Sequence, residues 1–182
     1  KSIEDQIFDL KKVISPFMTI PINDSIETQR KVAEIWVNEK HPAQQIPDFE
    51  FIKIEDRKIR IGYFSADFHD HATMYLMAQL FELHDKSRFE TIGFSFGPDR
   101  QDSMRIRAIT ALDHFHDVRD KTDSEIAQLS RDLGVDIAVD LKGFTLESRA
   151  GIFSYRAAPI QVNYLGYPGT MGADFMDYLI AD

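Results

Sequence analysis

The stretch IRIGYFSADFHDHATMYLMAQLFELHD, residues 59–85, holds a strand, a polar loop and a helix in direct succession. IRIGYF is short, apolar and rich in aromatic and β-branched residues, which reads as a strand. It runs out into small and polar residues, SAD. ATMYLMAQLFELHD then carries apolar residues at helical spacing, with Tyr75, Leu76, Leu80 and Leu83 as its apolar stripe.

The same alternation continues downstream. FETIGFSFG is a second strand and DSMRIRAITALD a helix; HFHDV is a short strand. TDSEIAQLSRDLG opens like a capping box, Thr122 with Glu125, and stops at Gly134. VDIAVDLKG is a strand, ESRAGIFSYRAAP a short helix halted by proline, IQVNYLGYPGT a strand opening into a glycine-rich loop, and YLIAD a last strand. Short apolar strands alternating with helices predict an α/β fold, a Rossmann-like parallel sheet with helices on both faces. In such sheets ligands bind beyond the carboxyl ends of the strands. The loops of interest are therefore SADFHDHAT, GPDRQDS, DVRDKTDS, KGFTLES and GYPGTMGAD.

Upstream the texture differs. IEDQIFDLKKVI places Ile3, Ile7, Leu10 and Ile14 at helical spacing, and SPFMTIP breaks the pattern. NDSIETQRKVAEIWVNEKH reads as a helix capped by Asp24 or Ser25, with Val32, Ile35 and Trp36 on one face. PAQQIPDFEFIKIEDRK reads as a linker, because Pro42 and Pro47 bar continued helix. The expected division is a helical extension over 1–57, packed on something else, and the α/β unit over 58–182.

The chain has 182 residues, 43% of them hydrophobic, enough for an ordinary globular core. A net charge of -9 argues against nucleic acid and against anionic lipid. The sequence contains no cysteine, so disulfides, thiolate-zinc sites and cysteine nucleophiles are excluded, which fits the cytoplasm. No apolar run approaches the roughly 20 residues of a membrane span. The chain begins without methionine and stops at what reads as the end of a strand, so a fragment of a longer protein is expected.

Several chemistries fit the loops. Two His-x-His pairs, His69/His71 and His114/His116, invite a metal, since residues i and i+2 of a strand share a face. Yet one pair lies past the end of its strand and the other within its strand, so they are expected at different depths. His71 immediately precedes a helix, where the macrodipole disfavours imidazolium; a neutral imidazole suits a general base. A loop histidine that merely caps or hydrogen-bonds fits the same spacing. No G-x-G-x-x-G or G-x-x-x-x-G-K-[ST] is present. GYPGTMG fits either a nest of backbone N–H groups or a structural turn. KGFTLES offers Gly143 for close backbone approach and Thr145 as a donor or cap. Ser65 is not followed by the glycine of a nucleophile elbow.

Taken together, RIGYFSADFHDHAT, RFETIGFSFGPD, DIAVDLKGFT and RAAPIQVNYLGYPGTMGADFMDYLIAD resemble the catalytic region of the O-linked N-acetylglucosamine transferases. More narrowly, they are similar to the bacterial tetratricopeptide-repeat relatives and the plant SPINDLY proteins. The resemblance covers residues 58–182. It implies the N-terminal half of a GT-B glycosyltransferase, whose two Rossmann-like halves face across a cleft. The implied activity is inverting transfer of N-acetylglucosamine from UDP-GlcNAc to protein Ser/Thr, without a metal and without another cofactor. The family pattern D-F-x-x-H-P-T falls on Asp67 to Thr73, which makes His71 the candidate base that takes the acceptor hydroxyl proton. Alanine replaces the proline at 72, and His69 falls on a variable position. By the same resemblance Gly143, Thr145, Pro168, Gly169 and Thr170 are candidates for sugar or acceptor contact. Implied partners are tetratricopeptide repeats and a C-terminal nucleotide-binding half in the parent chain, and this region alone is expected to be inactive. The alternatives are a related transferase using another sugar, a non-catalytic protein-binding α/β module, and a metal-binding domain built on the histidine pairs.

Overall fold

The computed structural model describes residues 14–44 and 57–181. The helix expected from IEDQIFDLKKVI and most of the expected linker lie outside the described residues. SPFMTIP, expected only to break the pattern, forms a short helix α1 (Pro16–Thr19) and a 3-10 turn (Ile20–Ile22). Pro16 sits in the first turn, where its missing N–H goes unused. Helix α2 (Ile26–Lys40) starts at Ser25, whose hydroxyl accepts the Thr28 N–H at 3.2 Å. Val32, Ala33 and Val37 are its buried apolar residues, while Ile35 and Trp36 are half-buried.

Among the described residues six strands follow: β1 (Ile59–Ser65), β2 (Phe89–Ser95), β3 (His114–Asp117), β4 (Ile137–Asp140), β5 (Ile160–Tyr164) and β6 (Tyr178–Ile180). Between them run α3 (Ala72–Leu83), α4 (Ser103–Ala111), α5 (Asp123–Asp132) and α6 (Gly151–Ser154). All pairings are parallel, in the order β3-β2-β1-β4-β5-β6. The Rossmann-like α/β expectation holds. The order reverses between β1 and β4, which makes that junction the topological switch point.

Successive strand residues point to opposite faces and feed two cores. Phe64, Ile92, Phe94 and Ala138 pack with Ala33 and Val37 of α2, Ile126 and Ala127 of α5, and Ile152 and Phe153 of α6. Ile61, Tyr63, Val139 and Leu141 pack on the other face with Met74, Met77, Ala78 and Phe81 of α3 and Met104 and Ala108 of α4. The sheet is thus covered on both sides, and α2 of the front section packs on this sheet. Phe64 and Phe94 stack at 4.3 Å between centroids across the β1–β2 pair.

The α3 stripe expected at Tyr75, Leu76, Leu80 and Leu83 is a correction. All four are exposed, and Met74, Met77, Ala78 and Phe81 face the core instead. The helix is apolar nearly all round, so two overlapping sets satisfy the helical period, and only the 74, 77, 78, 81 set meets the sheet. The α5 signals hold: the Thr122–Glu125 capping box forms, and Gly134 follows the helix at φ +66°.

The strands are apolar along most of their length and polar at their carboxyl ends. In the registers, Ser65 lies beside Ser95 and Ser95 beside Asp117, while Phe64 lies beside Asp140 and Asp140 beside Asn163. Ser65, Ser95, Asp140 and Asn163 are all buried. The core therefore ends in a layer of polar side chains directly under the loops.

Candidate functional site

The loop leaving β1 crosses the switch point and carries Asp67, His69, Asp70 and His71. It is held on both flanks. On the β4 side, Lys142 Nζ lies 2.9 Å from Asp67 Oδ1 and 2.8 Å from Oδ2, with both side chains about 95% buried (5% and 6% exposed). On the β2 side, Arg105 at the start of α4 donates to Ser95 Oγ at 3.1 Å and to the Phe68 carbonyl at 3.5 Å. Its Nε also lies 3.1 Å from Asp99 Oδ1. Asp102, the N-cap of α4, accepts the Asp70 N–H at 2.9 Å and the Arg105 N–H at 2.9 Å. These backbone hydrogen bonds hold its carboxyl below the usual carboxylate range. A loop tied in this way presents its side chains without a large ordering cost.

His71 is the N-cap of α3. Its Nδ1 accepts the Thr73 N–H at 3.2 Å and lies 3.2 Å from Thr73 Oγ1 and 3.5 Å from Asp67 Oδ2. Its side chain is 43% exposed. His69 is buried, with Nδ1 3.3 Å from the Asp70 carbonyl and its ring 5.7 Å from that of His71. Among the described residues no group of three or more His, Asp or Glu side chains is arranged to hold a metal ion. The second pair is elsewhere: His114 and His116 lie within β3, at the outer edge of the sheet.

The loop after β4 is organised by Asp140. Its oxygens accept the N–H of Lys142 at 2.9 Å and of Gly143 at 3.1 Å, and the Asn163 amide at 3.2 Å. Burial nonetheless pushes this carboxyl above its usual range. Gly143 has φ +55°, and a Cβ there would run into Tyr167 of the next loop. Both the backbone sign and the close approach require glycine. Thr145 Oγ1 donates to the Lys142 carbonyl at 2.8 Å, and Ser148 Oγ bonds the Gly143 carbonyl. In the loop after β5, a Cβ at Gly166 would meet the Leu141 carbonyl, so that loop is seated directly on the β4 loop. Pro168 and Thr170 are exposed and Gly169 is half-buried against Tyr167.

Contacts thus run from His71 through Asp67 to Lys142 and Gly143, and from there to Tyr167 and Gly169. Pro168 is carried by the same loop. Thr170 is placed differently. It lines a hollow of about 610 Å³ between α2 and residues 170–179, together with Arg30, Glu34, Asn163, Asp174 and Asp177. His71, Gly143 and Thr145 do not line that hollow. Lys142 and Arg105 are central to this arrangement without any motif that marks them, whereas Asp67 opens the D-F-x-x-H-P-T pattern. Lys142 and Asp67 are 75 positions apart, and only the β1–β4 adjacency joins them.

Known proteins share this fold. The model of glycosyl transferase family 41 matches residues 27–182. A Caenorhabditis elegans UDP-N-acetylglucosamine–peptide N-acetylglucosaminyltransferase is 37% identical over 127 residues, 69% of this chain and 11% of that protein. The probable enzyme of the same name, SEC, from Arabidopsis thaliana is 35% identical over 126 residues, 69% of this chain and 13% of its own length. A mutant of the Thermobaculum terrenum O-GlcNAc transferase superposes with a TM-score of 0.83 at 30% identity, over 91% of this chain and 32% of that one. The chain therefore spans a minor part of its relatives, and that part holds the β1, β4 and β5 loops described above. It belongs to glycosyl transferase family 41.

Proposed function

We propose that this chain is the N-terminal half of a GT-B catalytic region that moves N-acetylglucosamine from UDP-GlcNAc to Ser/Thr hydroxyls of proteins, with inversion at the anomeric carbon. The observation that carries the reading is the joining of the β1 and β4 loops at the switch point by a buried ion pair, in a family 41 chain. In this reading the acceptor oxygen attacks the anomeric carbon as its bond to the nucleoside diphosphate breaks, and the hydroxyl proton is taken up by the departing diphosphate or by water. His71 is the catalytic residue at this wall of the cleft, Gly143, Thr145, Pro168 and Gly169 form the ledge for sugar or acceptor, and Thr170 would meet the substrate from the hollow beside α2. For Gly143 and Thr145 this contact would be through backbone, because the Thr145 hydroxyl is committed to the Lys142 carbonyl. The diphosphate is met by basic groups of the C-terminal half, with no metal ion and no other cofactor. In this reading residues 58–182 are the catalytic subdomain, residues 1–57, whose α2 packs on the sheet, lead toward tetratricopeptide repeats, and the protein works in the cytoplasm.

The test is incorporation of labelled sugar into acceptor protein by a chain carrying this region and the rest of the catalytic region. UDP-GlcNAc is expected to be consumed and a β-linked product formed. His71→Ala is expected to lower turnover by about 10²–10³-fold with the circular dichroism spectrum unchanged. Transfer only from another nucleotide sugar would replace the donor in this reading. No transfer from any donor would favour the second reading, a protein-binding module. The feature that favours it is the exposed apolar face of α3 at Tyr75, Leu76, Leu80 and Leu83.

A further inference from the structure

We propose that the Lys142–Asp67 ion pair and the Thr73 backbone amide together hold His71 in the tautomer that carries its proton on Nε2, so that the ring offers the cleft a hydrogen-bond donor rather than a base. The inference rests on the catalytic placing of His71 proposed above, but its structural half stands without it.

The reasoning starts at Nδ1. Three groups surround it: the Thr73 N–H and Thr73 Oγ1, each at 3.2 Å, and Asp67 Oδ2 at 3.5 Å. A backbone amide has no lone pair to offer, so the nitrogen it meets must be unprotonated. A neutral imidazole with a bare Nδ1 carries its hydrogen on Nε2. The opposite tautomer would place two hydrogens between Thr73 N and Nδ1. It would be favoured only if Asp67 drew a proton to Nδ1, as a bare carboxylate does beside a catalytic histidine. Here Asp67 is not bare. Lys142 Nζ lies within 2.9 Å of both its oxygens, and Oδ2 also accepts the Thr73 hydroxyl at 3.3 Å. The ammonium neutralises the carboxylate, and its bonds and that of Thr73 occupy the lone pairs that an Nδ1–H would need. Lys142 and the Thr73 hydroxyl thus both donate to Asp67, while the Thr73 amide donates to Nδ1, and every donor has an acceptor without a proton on Nδ1. Among the described residues no group bonds Nε2, on a ring with 43% of its side chain exposed.

A donor at that position fits an oxygen of the substrate, whether on the sugar, the diphosphate or the acceptor. Lys142 is a positioning residue in this scheme: it acts on the substrate only by deciding which nitrogen of His71 bears the proton.

The first measurement is the imidazole ¹⁵N spectrum of the ¹⁵N-histidine-labelled 182-residue chain, recorded where His71 is neutral and assigned by the loss of signals in His71→Gln. The proton is expected on Nε2; a proton on Nδ1 overturns the proposal. In Lys142→Met the uncovered carboxylate is expected to shift the population toward Nδ1–H, and Lys142→Arg to restore Nε2–H. A tautomer indifferent to Lys142→Met removes Lys142 from the scheme. Should Lys142→Met fail to fold, the Lys142→Met/Asp67→Asn pair removes both charges and is expected to keep Nε2–H; Nδ1–H in that pair also overturns the proposal. The second measurement is turnover in a chain carrying the complete catalytic region. Glutamine places an N–H near the position of Nε2 and cannot serve as a base. His71→Gln is therefore expected to retain at least about tenfold more turnover than His71→Ala, a part of the 10²–10³-fold effect of a single preorganised donor. Equal loss in both overturns the donor role. Absence of transfer in the unmutated protein would sink the proposed function and leave the spectroscopic result to stand or fall separately.

Discussion

The two His-x-His stretches are alike in sequence and opposite in circumstance. The first lies past the end of β1, a central strand paired with β2 and β4. There the chain leaves the sheet at the switch point, His69 is buried, and His71 caps a helix beside a buried ion pair. The second lies within β3, the outer strand. His114 reaches Glu90 at 2.8 Å with 53% of its side chain exposed, and His116 stacks on Phe94 at 5.8 Å between ring centroids. At the strand end the side chains are gathered by loops from β1 and β4; within the edge strand the two histidines share a face but find separate partners, Glu90 and Phe94. Histidine spacing therefore says little until the strand ends are placed.

The largest test of this contrast uses ion pairs from the two regions. Lys142→Met leaves Asp67 buried without a counter-ion and is expected to cost about 3–5 kcal/mol in chemical denaturation. Lys86 and Asp113 form the corresponding pair at the edge, 3.0 Å apart, with 41% and 31% of their side chains exposed. Lys86→Met is expected to cost about 0–1 kcal/mol. Equal costs would erase the distinction between centre and edge.

Next in size is the contrast between the two faces of α3. Met77→Ala opens a hole under the sheet, where the side chain is 1% exposed, and is expected to cost about 2–5 kcal/mol. Leu76→Ala, one residue earlier at 65% exposure, is expected to change stability by no more than about 0.5 kcal/mol. A large loss from Leu76→Ala would mean that the outward face of α3 is covered in solution. Smaller again is Gly143→Ala. It forces a side chain into the left-handed region against Tyr167, at about 1–3 kcal/mol. If stability is unchanged but transfer is lost, Gly143 serves the substrate rather than the packing of the β4 and β5 loops.

These cases also show what was legible in the sequence. The strand and helix alternation, the Thr122–Glu125 box and the Gly134 stop are local signals, and each appears where the spacing placed it. The buried face of α3 was not legible, because Leu76 and Met77 satisfy the same period and only tertiary contact separates them. The HDH loop stood out by composition, yet the sequence is silent on what touches Nδ1. That depends on the Thr73 amide turning inward at the helix start and on Lys142, which reaches the loop only because β4 lies beside β1. By resemblance Gly143 is a contact for sugar or acceptor; the structure gives it a packing demand against Tyr167 that leaves the same trace in the sequence.

The smallest expected effect is the pH dependence of the edge pair. Burial against Phe94, with a lesser effect from neighbouring His114, holds the His116 imidazole below its usual 6.5. The unfolded chain therefore takes up a proton near 6.5 that the folded chain refuses. The contribution to stability is complete above the unfolded value and is lost as pH falls through the folded one. His41 and His84 are lowered in the same direction, also chiefly by burial, so the wild-type protein should weaken steadily below about pH 6.5. His116→Gln should lessen the drop in urea midpoint between about pH 7.5 and about pH 5.5 by the share that belongs to His116. An undiminished drop would mean that His116 is as free to take a proton in the folded chain as in the unfolded one. The edge strand would then expose both of its histidines, and the contrast with the buried histidine beyond β1 would be sharper than the geometry of β3 alone implies.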